Sequence, residues 1–88
     1  MDDKVVKQME LKDTVNGMLS EDYRERFKAE LDQMKIRVRK LEDLIYKYDT
    51  KKLDFELNCN IEMLRLQLNA MWSYLCLLEQ RAVIEKIY

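Results

Sequence analysis

IEMLRLQLNAMWSYLCLL, residues 61–78, decides how the chain folds. Thirteen of these eighteen residues are apolar, and they fall into two rows at helical spacing. Ile61, Leu64, Leu68, Met71, Leu75, Leu78 and Ala82 form the first row, in steps of three and four. Met63, Leu66, Ala70, Tyr74 and Leu77 form a second row beside it, with Trp72 and Cys76 in addition. A helix that is apolar on most of its faces needs cover on most of its faces. One partner helix covers one stripe. Membrane insertion is a poor answer, because Glu62, Arg65, Gln67 and Asn69 interrupt the stretch and each is costly in lipid. Assembly with further copies of the chain is the expected solution, with Leu66, Asn69, Ala70, Trp72, Tyr74 and Leu77 at the interface.

A partner for the first row lies upstream. Phe27, Leu31, Met34, Val38, Leu41, Ile45 and Tyr48 alternate in steps of four and three, a heptad seam. Ser20-Glu21-Asp22 offers a cap and first-turn acids at its start. The expectation is a helix over 20–48, a turn over 49–59 and a helix over 60–87, with Asn58 or Asn60 capping the last. Leu53 and Phe55 are expected to plug the end of the hairpin. Residues 1–19 read as a short helix or arm able to close over a partner, ended by Asn16-Gly17. The fold class expected is all-α, an antiparallel helical hairpin in a single domain, assembled into a homo-oligomeric bundle.

Composition narrows the chemistry. The 88 residues hold 16 basic and 17 acidic side chains, 38% charged in all, with one Gly and no Pro. That suits long helices, and the charge balance argues against DNA or RNA as a partner. The chain has no His, which removes the usual general base and the commonest metal ligand. Cys59 and Cys76 are unpaired in pattern and read as buried small residues. No catalytic residue, metal or cofactor is expected. The charged N-terminus carries no leader pattern, and a reducing cytoplasm fits two thiols.

The first long helix carries basic rows. Arg24, Lys28, Lys35 and Arg39 lie on one side of its seam, and Tyr23, Glu30 and Arg37 on the other, with Arg26 nearby. Such residues solvate the flanks of a coiled coil or pair with acids on neighbours. They also suit phosphate, Arg by its bidentate fork. Spacing alone favours the first of these. Trp72, Tyr74 and Met71 likewise read as core or interface before they read as a pocket for a planar ligand. Asn69 reads as a buried amide that sets register or meets a ligand edge. Arg81, near the end of the last helix, suits the helix dipole and is placed to reach a neighbouring chain or a phosphate.

Several segments together resemble a family. DYRERFKAE (22–30), KIR (35–37) and Lys40-Leu41, then Leu53-Asp54-Phe55, Cys59, Ile61-Glu62 and Leu64, are similar to small helical phage and prophage proteins related to crAss-like phages. The ending, from Gln67 through Ala70-Met71, Tyr74-Leu75, Leu78-Glu79 and Arg81-Ala82 to Ile84-Glu85, is similar too. Asn58 and Asn60 stand where relatives often have Pro. The plan resembles that of the phage anti-CBASS sponges, which assemble, typically as hexamers, and sequester cyclic oligonucleotide messengers. The resemblance implies a non-catalytic homo-oligomer that binds cyclic di- or oligonucleotides in the cytoplasm of an infected or lysogenic bacterium. In the sponges a Tyr and a Lys of the first long helix, with a late Arg, hold phosphates. Tyr23 and Arg81 match. Strict spacing for the Lys lands on Val38, so Arg37 or Arg39 would substitute. Tyr23, Arg26, Lys35, Arg37, Arg39 and Arg81 are therefore the candidate ligand residues. The alternative is a helical protein–protein interaction module without a small ligand.

Overall fold

A computed structural model describes residues 9–87. The first eight residues of the expected arm over 1–19 lie outside the described residues. A 3-10 turn, Leu11–Thr14, runs into α1, Val15–Met18. Two long helices follow, α2 over Tyr23–Asp49 and α3 over Ile61–Ile84. They pack on each other as a hairpin.

The two seams meet as their spacing requires. Phe27, Leu31 and Val38 of α2 are buried with Leu75, Leu78 and Ala82 of α3, and Met34, Leu68 and Met71 pack beside them. Leu31 and Leu78 are the most deeply buried, each 1% exposed. Ile87, just beyond α3, closes the same cluster.

Capping explains the boundaries. Asp22, not Ser20, is the N-cap of α2: its carboxylate accepts from the Arg24 amide at 2.9 Å. Ser20 instead braces the approach, donating to Glu25 Oε1 at 2.6 Å and accepting from the Asp22 amide at 3.0 Å. Asn60 is the cap of α3, its side chain accepting from the Met63 amide at 2.9 Å. Both long helices end in the same closing motif. The Lys52 amide reaches back to the Lys47 carbonyl at 2.8 Å, and Lys51 to Tyr48 at 3.1 Å. The Ile87 amide likewise reaches Ala82 at 3.0 Å, and Lys86 reaches Val83 at 3.2 Å. These are Schellman pairs. The left-handed position is filled by Lys51 (φ 61°) and Lys86 (φ 57°) rather than glycine.

Four expectations need correction. Asn16-Gly17 does not stop α1 in a left-handed turn: both residues lie inside the helix, and Gly17 has no positive φ. A Cβ on Gly17 would sit 2.9 Å from the Cβ of buried Ala29, so glycine serves close approach of α1 to α2. The described part of the arm packs only on α2, where Ala29 and Ile36 are buried off the seam. It leaves the outer face of α3 uncovered. Gln33 donates to Thr14 Oγ1 at 3.2 Å, and Lys40 and Arg39 approach Glu10 at 3.1 and 3.6 Å to hold it there. Phe55 does not plug the hairpin, since it is exposed while Leu53 is half-buried. The turn is tied instead by Arg65, which donates to Asp49 at 2.5 and 3.1 Å. Finally, Cys59 and Cys76 are exposed, not buried.

Apart from Tyr74, which reaches Glu30 of α2, the second apolar row of α3 is left largely uncovered by the described residues. Met63, Leu66, Leu77 and Ile84 are all more than half exposed. With Ala70 they follow one another in steps of three, four, seven and seven, along one flank of the helix. No helix of the described residues is long and apolar enough to cross a membrane.

Candidate functional site

The hairpin is antiparallel, so the first turn of α2 lies against the last turn of α3. Tyr23 opens α2, while Arg81 and Glu85 sit four residues apart at the end of α3. Their side chains close a ring. Tyr23 donates its phenolic O–H to Glu85 Oε1 at 2.6 Å. Arg81 Nη2 donates to the Tyr23 oxygen at 2.9 Å, and Arg81 Nε to Glu85 Oε2 at 3.1 Å.

Phe27 is the floor of this ring. The Arg81 guanidinium carbon lies 4.7 Å from the centre of the Phe27 ring, a cation–π contact. The Tyr23 ring meets the same phenyl edge-on, with centroids 6.1 Å apart. Phe27 belongs to the buried core, so the two polar groups stand on a packed support. Next to them, Arg24 donates to the carbonyl of Lys86. That satisfies an acceptor just past the end of α3 and pins the two helix ends together. About two turns along α2 from Tyr23, Tyr74 donates to the carboxylate of Glu30.

The ring shifts its members' titration. The hydrogen bond to Glu85 raises the Tyr23 phenol above its ordinary value, with burial adding to the shift and Arg81 opposing it. The hydrogen bond from Tyr23 lowers the Glu85 carboxyl, and Arg81 lowers it further. The hydrogen bond to Glu85 raises the Arg81 guanidinium. Around neutral pH the cluster thus holds a neutral phenol, a carboxylate and a guanidinium.

The other candidates are spread along α2. Arg26 donates to the Ser20 carbonyl at 2.9 Å and so serves the loop before α2. Lys35 lines an open groove on the opposite flank of the hairpin, with Leu31, Glu79, Ala82, Val83 and Lys86. Arg37 is exposed, two heptads beyond Tyr23 and so about 21 Å along the axis. Arg39 is turned to the arm, with both Nη atoms 3.5 Å from the Met9 carbonyl. Within one chain, then, Tyr23 and Arg81 come together, and the cations of the α2 midsection do not join them.

Trp72, Tyr74 and Met71 do not form one pocket. Trp72 and Tyr74 are about 200° apart around the helix, and Met71 packs against the core between them. Asn69 is exposed on the chain taken singly. Glu85, the acid that completes the ring, was missed by the sequence reading. Its spacing of four from Arg81 was the available signal.

A family model named Sequestin matches residues 21–84, which span α2, the turn and α3. The chain belongs to the Sequestin family. The match covers Tyr23, Phe27 and Arg81, and Glu85 lies one residue past it. No curated protein and no solved structure matches the chain. The Sequestin name fits a protein that sequesters.

Proposed function

We propose that the protein is a sponge: a homo-oligomer that binds cyclic di- or oligonucleotide immune messengers between its subunits and holds them without turnover. The observation that carries this reading is the 2.9 Å approach of Arg81 to Tyr23, two residues 58 positions apart in the chain. A guanidinium and a phenol on an aromatic floor suit a phosphodiester, the first by charge and fork geometry, the second by a directed hydrogen bond. The family name supports sequestration.

Assembly supplies the rest of the site in this reading. The uncovered strip of α3 runs from Met63 to Ile84 and ends beside Arg81, so copies joined along it bring another chain next to Tyr23 and Arg81. Arg37 or Arg39 of a second copy then provides the cation that a single chain holds too far away. A hexamer is the assembly that the resemblance to the anti-CBASS sponges implies, and the setting is the cytoplasm of a phage-infected or lysogenic bacterium.

Calorimetry against a panel of cyclic mono-, di- and trinucleotides tests the reading. At least one nucleotide should bind saturably. Tyr23→Ala and Arg81→Ala should each weaken it by at least about tenfold, the scale of one lost charged hydrogen bond, while the sedimenting mass stays that of the wild type. Silence across the panel would overturn the reading.

The exposed strip favours a second reading, a helical module that docks a protein partner through Leu66, Leu77 and Ile84. It predicts no heat with any nucleotide and a defined partner lost on Leu77→Asp.

A further inference from the structure

We propose that Glu85 is an internal competitor for the anion site: its carboxylate takes the donors of Tyr23 and Arg81, and a phosphate binds by displacing it. The proposal rests on the reading of Tyr23 and Arg81 as the ligand site.

Three observations carry it. The first is the occupancy of the donors. The Tyr23 O–H and Arg81 Nε both point at Glu85, one at each carboxylate oxygen. Arg81 Nη2 points at the Tyr23 oxygen. Glu85 thus spans two donors from two helices with two oxygens, the same contact that two oxygens of a phosphate group make.

The second is where Glu85 stands. It directly follows α3 as its C-cap residue. A helix C-terminus presents partial negative charge, so a carboxylate there is disfavoured by the dipole, and a cation would stabilise the helix better. The acid is therefore a poor choice for ending the helix, and the ring is the interaction that recommends it.

The third is ease of release. The Arg81 and Glu85 side chains are 47% and 33% exposed. A pair this open to solvent contributes little net stability, so exchanging one anion for another on the same donors meets no large barrier. The carboxylate remains tethered, however, and its effective concentration at the donors is on the order of millimolar. A weakly held or singly charged anion loses to it. A phosphate group held at further points by a second copy wins. Glu85 thereby filters ligands, lowering affinity for stray monoanions in exchange for selectivity. Removing its charge while keeping its shape should release the filter.

Inorganic pyrophosphate is the probe, because it tests the anion site independently of any nucleotide. Calorimetry on the full chain should find that Glu85→Gln and Glu85→Ala bind pyrophosphate about tenfold more tightly than the wild type. Arg81→Ala should bind it more weakly than either. On the unaltered protein, nuclear magnetic resonance should show the Arg81 Nε–H and the Glu85 side-chain carboxyl carbon shifting together as pyrophosphate is added, which is displacement observed directly. Equal or weaker binding by Glu85→Gln, no binding by any variant, or a Glu85 carboxyl that does not respond would each overturn the proposal. If the Glu85 variants tighten pyrophosphate while the nucleotide panel stays silent, the competitor role stands and the messenger reading falls. If nucleotides bind and the Glu85 variants show no gain, the reverse holds.

Discussion

At the residue scale, the proposed function rests on Tyr23, Arg81 and Glu85, and the chemistry of their ring sets a pH window. Glu85 is lowered from its ordinary 4.5, so its contribution to stability is present above that value and lost as pH falls through the lower folded one. Tyr23 is raised from 10.0, so its contribution is present below pH 10.0 and lost as pH climbs through the higher folded value. The ring is intact between. A phenolate absorbance titration of wild type minus Tyr23→Phe isolates this one tyrosine among five. Its midpoint should lie above 10.0, and a midpoint at or below that value would contradict the ring. Tyr23 and Arg81 were legible in the sequence, through a family resemblance and through the position of each at a helix end. Glu85 was not, because an acid after a basic residue at a helix terminus reads as ordinary surface pairing. Lys51 and Lys86 were equally hidden. Lysine rarely adopts a positive φ, and the chain's one glycine stands at neither site.

At the element scale, α2 and α3 were legible almost to their caps, since two heptad rows of matched length leave little choice of register. The Phe27-to-Ile45 and Leu64-to-Ala82 rows are the rows that pack. The arm was less legible. Gly17 fits a helix stop and a close contact equally well by type, and only the position of Ala29, which is a matter of tertiary packing, separates the two. The distinction has a measurable consequence. In a free helix, Gly17→Ala would gain about 1 kcal/mol of propensity. Against Ala29, whose Cβ is 2.9 Å from the new methyl, overpacking costs about 1–3 kcal/mol. The balance predicts a lower melting temperature and faster amide exchange in the Leu11–Met18 segment. A higher melting temperature would mean that α1 does not press on α2 as described. The turn over 50–60 was the least legible stretch. Its anchor is the Asp49–Arg65 pair, which joins a helix end to a neighbouring helix and follows no local spacing rule.

At the scale of the whole molecule, the hairpin buries one row of α3 and exposes the other. Burial of apolar surface is the main stabilising term at this size, and Met63, Leu66, Leu77 and Ile84, each more than half exposed, contribute little to it in the hairpin taken singly. Both the sponge and the docking module use that strip; they differ in whether a small anion is held where it ends, at Arg81. The decisive claim is that a messenger goes in and comes out unchanged. Equilibrium dialysis against the nucleotide that binds best, followed by heat denaturation and chromatography of what is released, tests this most directly. The account predicts uptake in fixed proportion to protein and full recovery of the intact nucleotide. Equal total nucleotide on both sides of the membrane, or nucleotide recovered cleaved, would contradict it.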